Sequence, residues 1–349
     1  MTTDRIEQAD MSESSSRPSA QGPTASGGSG AVITDRRPFL ARYGERLALP
    51  MAWLALIVFF SAQKPDRFST TKNLGSVLGT QSALFILALA ALLPAMVGDL
   101  DLSLGLSGAM SAMAMAVLNT KHGWPIVPAL VAAVFLGALC GFINGFVVVK
   151  LKTEPFIMTL GTGAVFQGVL LKIANSNTIT GVSRSLSDWT YGHHIWVIPI
   201  QFLYALALML VIWYGAEHTP LGVRALFVGK SRDVARLSGI ASDRIRWGAF
   251  TIAGALGAFA AVVFVGNSSS MSPTSFSPYL LPAYAAVFLG ATTIHPGRFN
   301  PIGTTIAVLF LATGISGLQI LGAQDYAQYL FYGATLIAAV AGSRYLRGR

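Results

Sequence analysis

Apolar runs about as long as a membrane-crossing helix recur along the chain, separated by short polar stretches. Crossing hydrocarbon takes about 20 mostly apolar residues. Clear runs cover 46–62, 77–97, 126–149, 196–214, 247–266, 301–320 and 328–343. Three further runs, 103–118, 155–173 and 279–294, are interrupted by Gly, Ser and Thr. The pattern predicts an all-α, polytopic membrane protein with about ten transmembrane helices. Eight or nine spans, with one broken segment re-entrant, fit the same pattern. Backbone groups in hydrocarbon have no water to bond, so continuous runs must be helical. A transmembrane barrel would instead show short alternating segments.

Composition agrees. Of 349 residues, 53% are hydrophobic and 11% charged, against about 25% charged in ordinary soluble domains. The formal charge of +9 sits in loops and tails without interleaved aromatics, so it points to membrane topology and anionic lipid and not to nucleic acid. Cys140 is the only cysteine, which excludes an intrachain disulfide. Residues 1–35 are rich in Ser, Gly, Thr and Pro. Such a segment buries too little to offset its ordering entropy, and a disordered cytoplasmic N-terminal tail is expected, followed by a membrane domain over 36–349. No apolar core or cleavage pattern follows Met1 closely enough for a signal peptide.

Arg36, Arg37, Arg42 and Arg46 precede the first span, which places the N-terminus in the cytoplasm. Alternation then puts Lys150, Lys152, the whole 215–246 segment, Arg298 and the C-terminal arginines on the same side, so both termini are expected there. The 63–76 loop, with three basic residues, fits this least well.

Gly137, Gly141 and Gly145 form a stripe on one helix face that permits close backbone approach. Gly161 with Gly168, and Gly314 with Gly317, suggest further tight contacts.

The segment from Pro220 to Ile240 is a basic, soluble-looking island between long apolar runs. The Ser231 hydroxyl is placed to cap a short helix, and Gly239 to end it in a left-handed conformation. Val234 and Leu237 share a face, with Ile240 just beyond, while Arg232 and Arg236 share another. The result is a short amphipathic peg, suited equally to a partner's groove or to the headgroup layer. Gly229-Lys230-Ser231 is not a phosphate-binding loop, because Arg224 stands where the earlier glycine is required. Leu237-Ser238-Gly239 is followed by Ile240 and Ala241, not by the Gly-Gln of an ATPase signature.

Four patterns in order carry a family resemblance: Val97-Gly-Asp-Leu-Asp-Leu-Ser-Leu-Gly105; Gly141-Phe-Ile-Asn-Gly145 followed by Pro155-Phe-Ile-Met-Thr-Leu-Gly-Thr162; Gly222 to Ile240; and Ala285-Ala-Val-Phe-Leu-Gly-Ala-Thr-Thr293 followed by Gly303-Thr304. As a set they resemble the permease subunits of bacterial sugar ABC importers of the ribose/xylose type, over most of residues 45–345. Two departures stand out. Ile294-His-Pro-Gly-Arg-Phe-Asn-Pro301 replaces a glycine-rich turn, and Gly229-Lys-Ser231 replaces the usual Gly-Gly-Asn.

The resemblance implies a pore subunit that passes a monosaccharide or related small polyol inward across the bacterial cell membrane and hydrolyses nothing itself. ATP and Mg would be used by a separate ATPase, and the chain would bind no cofactor. The implied partners are that ATPase, an extracytoplasmic sugar-binding protein and a second permease copy, identical or closely related. The resemblance tips the peg toward docking, through Gly222, Arg224, Gly229, Ser231, Val234, Ala235, Arg236, Leu237, Ser238, Gly239 and Ile240.

Within the spans, Asn144, Thr159, Thr162, Gln167, Thr292, Thr293 and Thr304 supply neutral hydrogen-bonding groups suited to a sugar path, and equally to ordinary interhelical bonds. Asp99 and Asp101 mark the junction of the second and third spans. For Asp99 the expectation is a polar loop at the cytoplasmic headgroups, and for Asp101 with Ser103 a structural turn that caps the next helix. His193-His194 lacks further ligands nearby, so a metal site is not expected. No nucleophile with a base, paired catalytic carboxylates or zinc motif appears, which argues against an enzyme. The alternative is an ion-gradient-driven secondary transporter of small polar solutes, whose coupling acids would have to be Asp99 and Asp101.

Overall fold

The computed structural model describes residues 39–347, with side chains described from 46 to 341. The expected N-terminal tail lies outside the described residues. Every run read from the sequence is helical over most of its length.

The chain begins with α1 (Phe39–Gln63), the short α2 (Pro65–Phe68), α3 (Thr71–Thr80), α4 (Ser82–Met96) and α5 (Leu104–Thr120). It continues through α6 (Ile126–Lys150), α7 (Pro155–Ala174), the one-turn α8 (Arg184–Ser187) and α9 (Ile200–His218). The polar island folds as α10 (Pro220–Lys230) and α11 (Arg232–Leu237). The long α12 (Ser242–Ser268), α13 (Leu280–Gly290), α14 (Pro301–Ile320) and α15 (Asp325–Arg347) complete the bundle. Strand is confined, among the described residues, to two antiparallel two-residue ribbons. Ile179 pairs with Met271, and His194 with Pro199.

The all-α, polytopic membrane architecture is as expected, and the count of about ten helices is approximate. Among the described residues, six helices are by length and composition apolar enough to cross a membrane: the Arg46–Gln63 part of α1, and α6, α7, α9, α12 and α14. The pair α3–α4, bent by 41° at Gln81, makes a seventh if taken as one span. Helix α5 has 17 residues and the segment Ser277–Gly290 is also short. The start of α5 and the end of α13 are buried among neighbouring helices. Non-helical backbone at that depth is tolerated only when protein satisfies it.

The two interior breaks are satisfied in different ways. After α4, Gly98 adopts φ +80° and an irregular stretch leads to Ser103, which already has helical dihedrals (φ −82°, ψ −14°). After α13, Ile294 (φ +60°) and Gly297 (φ +82°) turn the chain. Asn300 then secures the start of α14, accepting from the Gly303 N–H at 2.6 Å and donating to the carbonyls of Gly290, Thr293 and Arg298. A β-branched residue at positive φ is uncommon. Here Ile294 takes this left-handed conformation.

Helices α6 and α12 form the most extensive contact of the bundle. A Cβ on Gly141 would strike the Phe250 carbonyl, one on Gly137 the Gly254 carbonyl, and one on Gly145 the Trp247 ring. Gly254 returns the contact against Gly137. Gly314 faces Phe331 and Gly317 faces Phe60 equally closely. Gly161 and Gly168, in contrast, have open space above them, so the tight contact expected there is not made.

Gly141→Leu should therefore cost several kcal/mol, beyond the about 1–3 kcal/mol typical of overpacking, because backbone meets backbone. Gly161→Leu should be nearly silent. Thermal unfolding of the two variants in detergent checks the contrast, and equal losses would contradict it.

Candidate coupling site and cavity

Thr219 starts α10, its hydroxyl accepting from the Gly222 N–H, with Pro220 in the first turn. Ser231 caps α11 by accepting from the Val234 N–H, and Gly239 follows at φ +76°. The peg splits its apolar residues. Ala235 is fully buried with Val97 and Val228, and Ile240 packs against them. Leu237 is 89% exposed and Val234 about half exposed. Arg224, Arg236 and Ser238 are exposed beside them. Gly222 and Gly229 work on the inner side: a Cβ on Gly222 would hit the carbonyls of Gly215 and Ala216, and one on Gly229 the Met96 carbonyl.

What fixes the peg to the bundle is Asp99. Its side chain is wholly buried, and it does not lie in a solvated polar loop as its sequence position suggests. Arg246 of α12 donates from Nε to Oδ2 at 2.7 Å and from Nη2 to Oδ1 at 3.0 Å. Arg232, the first residue of α11, donates from Nη2 to Oδ1 and to the Gly98 carbonyl. Charges out of water are tolerated when paired and fully hydrogen-bonded, and both arginines serve this one acid.

The loop continues from Asp99 into a second network. Asp101 is buried, and its Oδ1 accepts from the Ser103 N–H (3.0 Å), the Ser103 hydroxyl (2.7 Å) and Asn144 Nδ2 (3.3 Å). Asn144 also donates to the Ser103 hydroxyl at 2.6 Å. The Tyr284 hydroxyl of α13 accepts from the Asp101 N–H and donates to its carbonyl. Thr159 of α7 accepts from the Leu102 N–H at 3.0 Å. Asp101 thus shapes the turn before α5 by bonding to Ser103 and not to the amides of the first helical turn. Residues 98–103 are held by α6, α7, α11, α12 and α13.

Leu100 and Leu102, from the same loop, border a cavity of about 510 Å³. It extends along α15 from Gln328 to Val340, roughly 18 Å at helical rise. Gln81, Phe156, Tyr279, Tyr284 and Tyr329 also border it. None of the seven neutral span residues suited to a sugar path does so. Asn144 and Thr159 hold the loop, and Thr162 donates to the Thr159 carbonyl. Gln167 is half-buried on α7. Thr292 donates to the Leu289 carbonyl and Thr293 to that of Arg46, closing the turn after α13. Thr304, the other neutral span residue, donates to the Asn300 carbonyl.

Sequence reasoning missed Arg246, Gln81 and the tyrosines. Arg246 had a signal, since a cation at the head of an apolar run demands an acid. No group of acids, histidines or cysteines suited to a metal occurs among the described residues.

A family described as branched-chain amino acid transport system / permease component matches residues 73–340. The chain belongs to this family of transport permeases. The permease is 31% identical over 310 residues to the autoinducer 2 import system permease protein of Escherichia coli (strain K12), covering 86% of this chain and 92% of that one. It is 30% identical over 297 residues to the ribose import permease protein of Bacillus subtilis (strain 168), covering 85% and 92%. It is 27% identical over 312 residues to the D-allose transport system permease protein of Escherichia coli (strain K12), covering 89% and 95%. No solved structure matches. The relatives are transport permeases and not catalysts, which agrees with the ATP-driven reading of the motifs and not with the ion-gradient alternative. The permease is a multi-pass membrane protein.

Removing Asp99 strands Arg246, whose side chain is 9% exposed, whereas removing Arg232 deletes a partner that is 42% exposed. Asp99→Ala should cost about 3–5 kcal/mol, as for breaking a buried pair. Arg232→Ala should cost at most about 1 kcal/mol, as for a partly solvated one. Thermal unfolding of the two purified variants tests this, and the reverse order would contradict the clamp.

Proposed function

We propose that this chain is the pore subunit of an ATP-driven importer of a monosaccharide or related small polyol, with residues 36–349 as its membrane domain. One observation carries the reading. A single loop, 98–103, is clamped to the peg at Asp99 and forms the cavity wall at Leu100 and Leu102. Force on the peg therefore reaches the cavity wall through the Arg232–Asp99 ion pair and the backbone from Asp99 to Leu102, with no flexible linker between them.

In this reading a separate ATPase seats Leu237 and Val234 in a groove, with Arg224 and Arg236 against its acidic rim. Closure of the ATPase on ATP and Mg shifts the peg as a rigid body. Asp99 carries the shift to Leu100 and Leu102, and the wall moves relative to α13 and α15. Two of the three relatives above are named for sugars, ribose and D-allose. The same reading places the peg and both termini in the cytoplasm of a bacterial cell, with a binding protein delivering solute outside and a second permease copy completing the pore.

Leu237→Glu puts a charge on the peg's apolar tip without touching the bundle. ATPase copurification should fall at least about tenfold, a loss of roughly 1.4 kcal/mol or more, while the variant stays monodisperse and membrane-inserted. Undiminished copurification would sink the docking role.

A further inference from the structure

The cavity bordered by Gln81 has a chemistry that none of the sequence motifs contains. Gln81 sits at the 41° bend between α3 and α4, a full α4 length away from the Asp99 loop. Its Oε1 is buried and accepts no hydrogen bond. A buried acceptor left unmet costs about 1–3 kcal/mol, and the terminal torsion of a glutamine side chain is broad, so the amide is free to turn to a donor entering the cavity. The Gln328 side chain and the rings of Tyr279 and Tyr329 border the same cavity, and no charged side chain does. Its volume of about 510 Å³ falls in the range of about 300–1,000 Å³ typical of small-molecule sites.

This inventory is selective. An amino-acid zwitterion would find no side chain of opposite charge on this lining for either its carboxylate or its ammonium. A neutral polyhydroxylated molecule offers hydroxyl donors to the amides and C–H faces to the aromatic rings. We propose that the cavity is a resting site for a neutral sugar, in which the Gln81 amide receives a substrate hydroxyl, Gln328 adds a second amide and Tyr279 and Tyr329 pack against the ring. This rests on the transport reading for its purpose but makes a separate claim about binding. Gln81 and Gln328 then determine specificity, rejecting solutes of similar size that carry charge.

Leu281 borders the cavity and is 45% exposed, and Cys140 is buried. Leu281→Cys therefore places a reactive thiol beside the site. The full-length chain carrying it, in lipid nanodiscs, is alkylated with a small neutral maleimide in equal concentrations of D-ribose, D-allose or L-leucine, with glycine betaine as the osmotic control. A sugar should slow alkylation roughly threefold at twice its dissociation constant, the protection factor being one plus the ratio of ligand to constant. Leucine and betaine should leave the rate unchanged. Adding Gln81→Leu should abolish the sugar protection, and adding Gln328→Leu should weaken it. The second variant decides the matter if the first fails to fold.

Protection by leucine equal to that by sugar would overturn the proposal, as would no protection by either sugar or protection surviving both glutamine changes. Copurification of the ATPase with Gln81→Leu separates the two claims. Lost protection with retained ATPase supports the sugar site. Sugar protection that holds while Leu237→Glu keeps its ATPase would remove the docking role and leave the site standing.

Discussion

A carboxylate with no solvent contact, held by two guanidinium groups from separate helices, organises the interior end of this bundle. Arg246 neutralises Asp99 inside the bundle, and Arg232 ties the peg to the same carboxylate beside the packing of Ala235 and Ile240. Asp99 is the acid that both arginines pair with among the described residues. Removing the acid would therefore free α11 and leave a buried cation in α12. Buried pairs add little net stability compared with an apolar replacement, but they fix geometry because any other arrangement leaves a charge unmet. Here the fixed geometry is that of the loop between α4 and α5.

That loop explains why two helices fall short of a full span. Helix α5 starts in the core because the irregular stretch before it has backbone groups bonded to Tyr284 and Thr159. Helix α13 ends in the core because Asn300 gathers the carbonyls of the turn that follows. Irregular backbone inside a membrane bundle is sustained where side chains replace water. The first break meets that condition with Tyr284, Thr159, Asp101 and Arg232, the second with Asn300, and the cavity opens beside the first.

Much of this was legible in the chain. Apolar run length located every long helix, because helix formation in hydrocarbon is imposed by the solvent and not by fine sequence detail. The stripe of Gly137, Gly141 and Gly145 marked the face that meets α12, and Ser231 and Gly239 marked the ends of the peg. Gly161 and Gly168 misled because glycine spacing shows where approach is permitted and not where a neighbour lies. Asp99 misled for a related reason. Its partners stand 133 and 147 positions away, and local polarity alone reads as a surface turn. The polar span residues were assigned to a path, whereas Asn144 and Thr159 are spent on holding backbone. The residues that border the cavity, Gln81 at a bend and the tyrosines of α13 and α15, have no local pattern that sets them apart from packing.

Leu237 projects a bare aliphatic side chain from a charged surface. A copy of this subunit without its motor would present that side chain to the surrounding solution. Such a surface favours nonspecific association and surveillance by chaperones and proteases. Under the proposed docking, cells making this protein gain by matching its synthesis to that of the ATPase, so that surplus copies do not accumulate as sticky orphans.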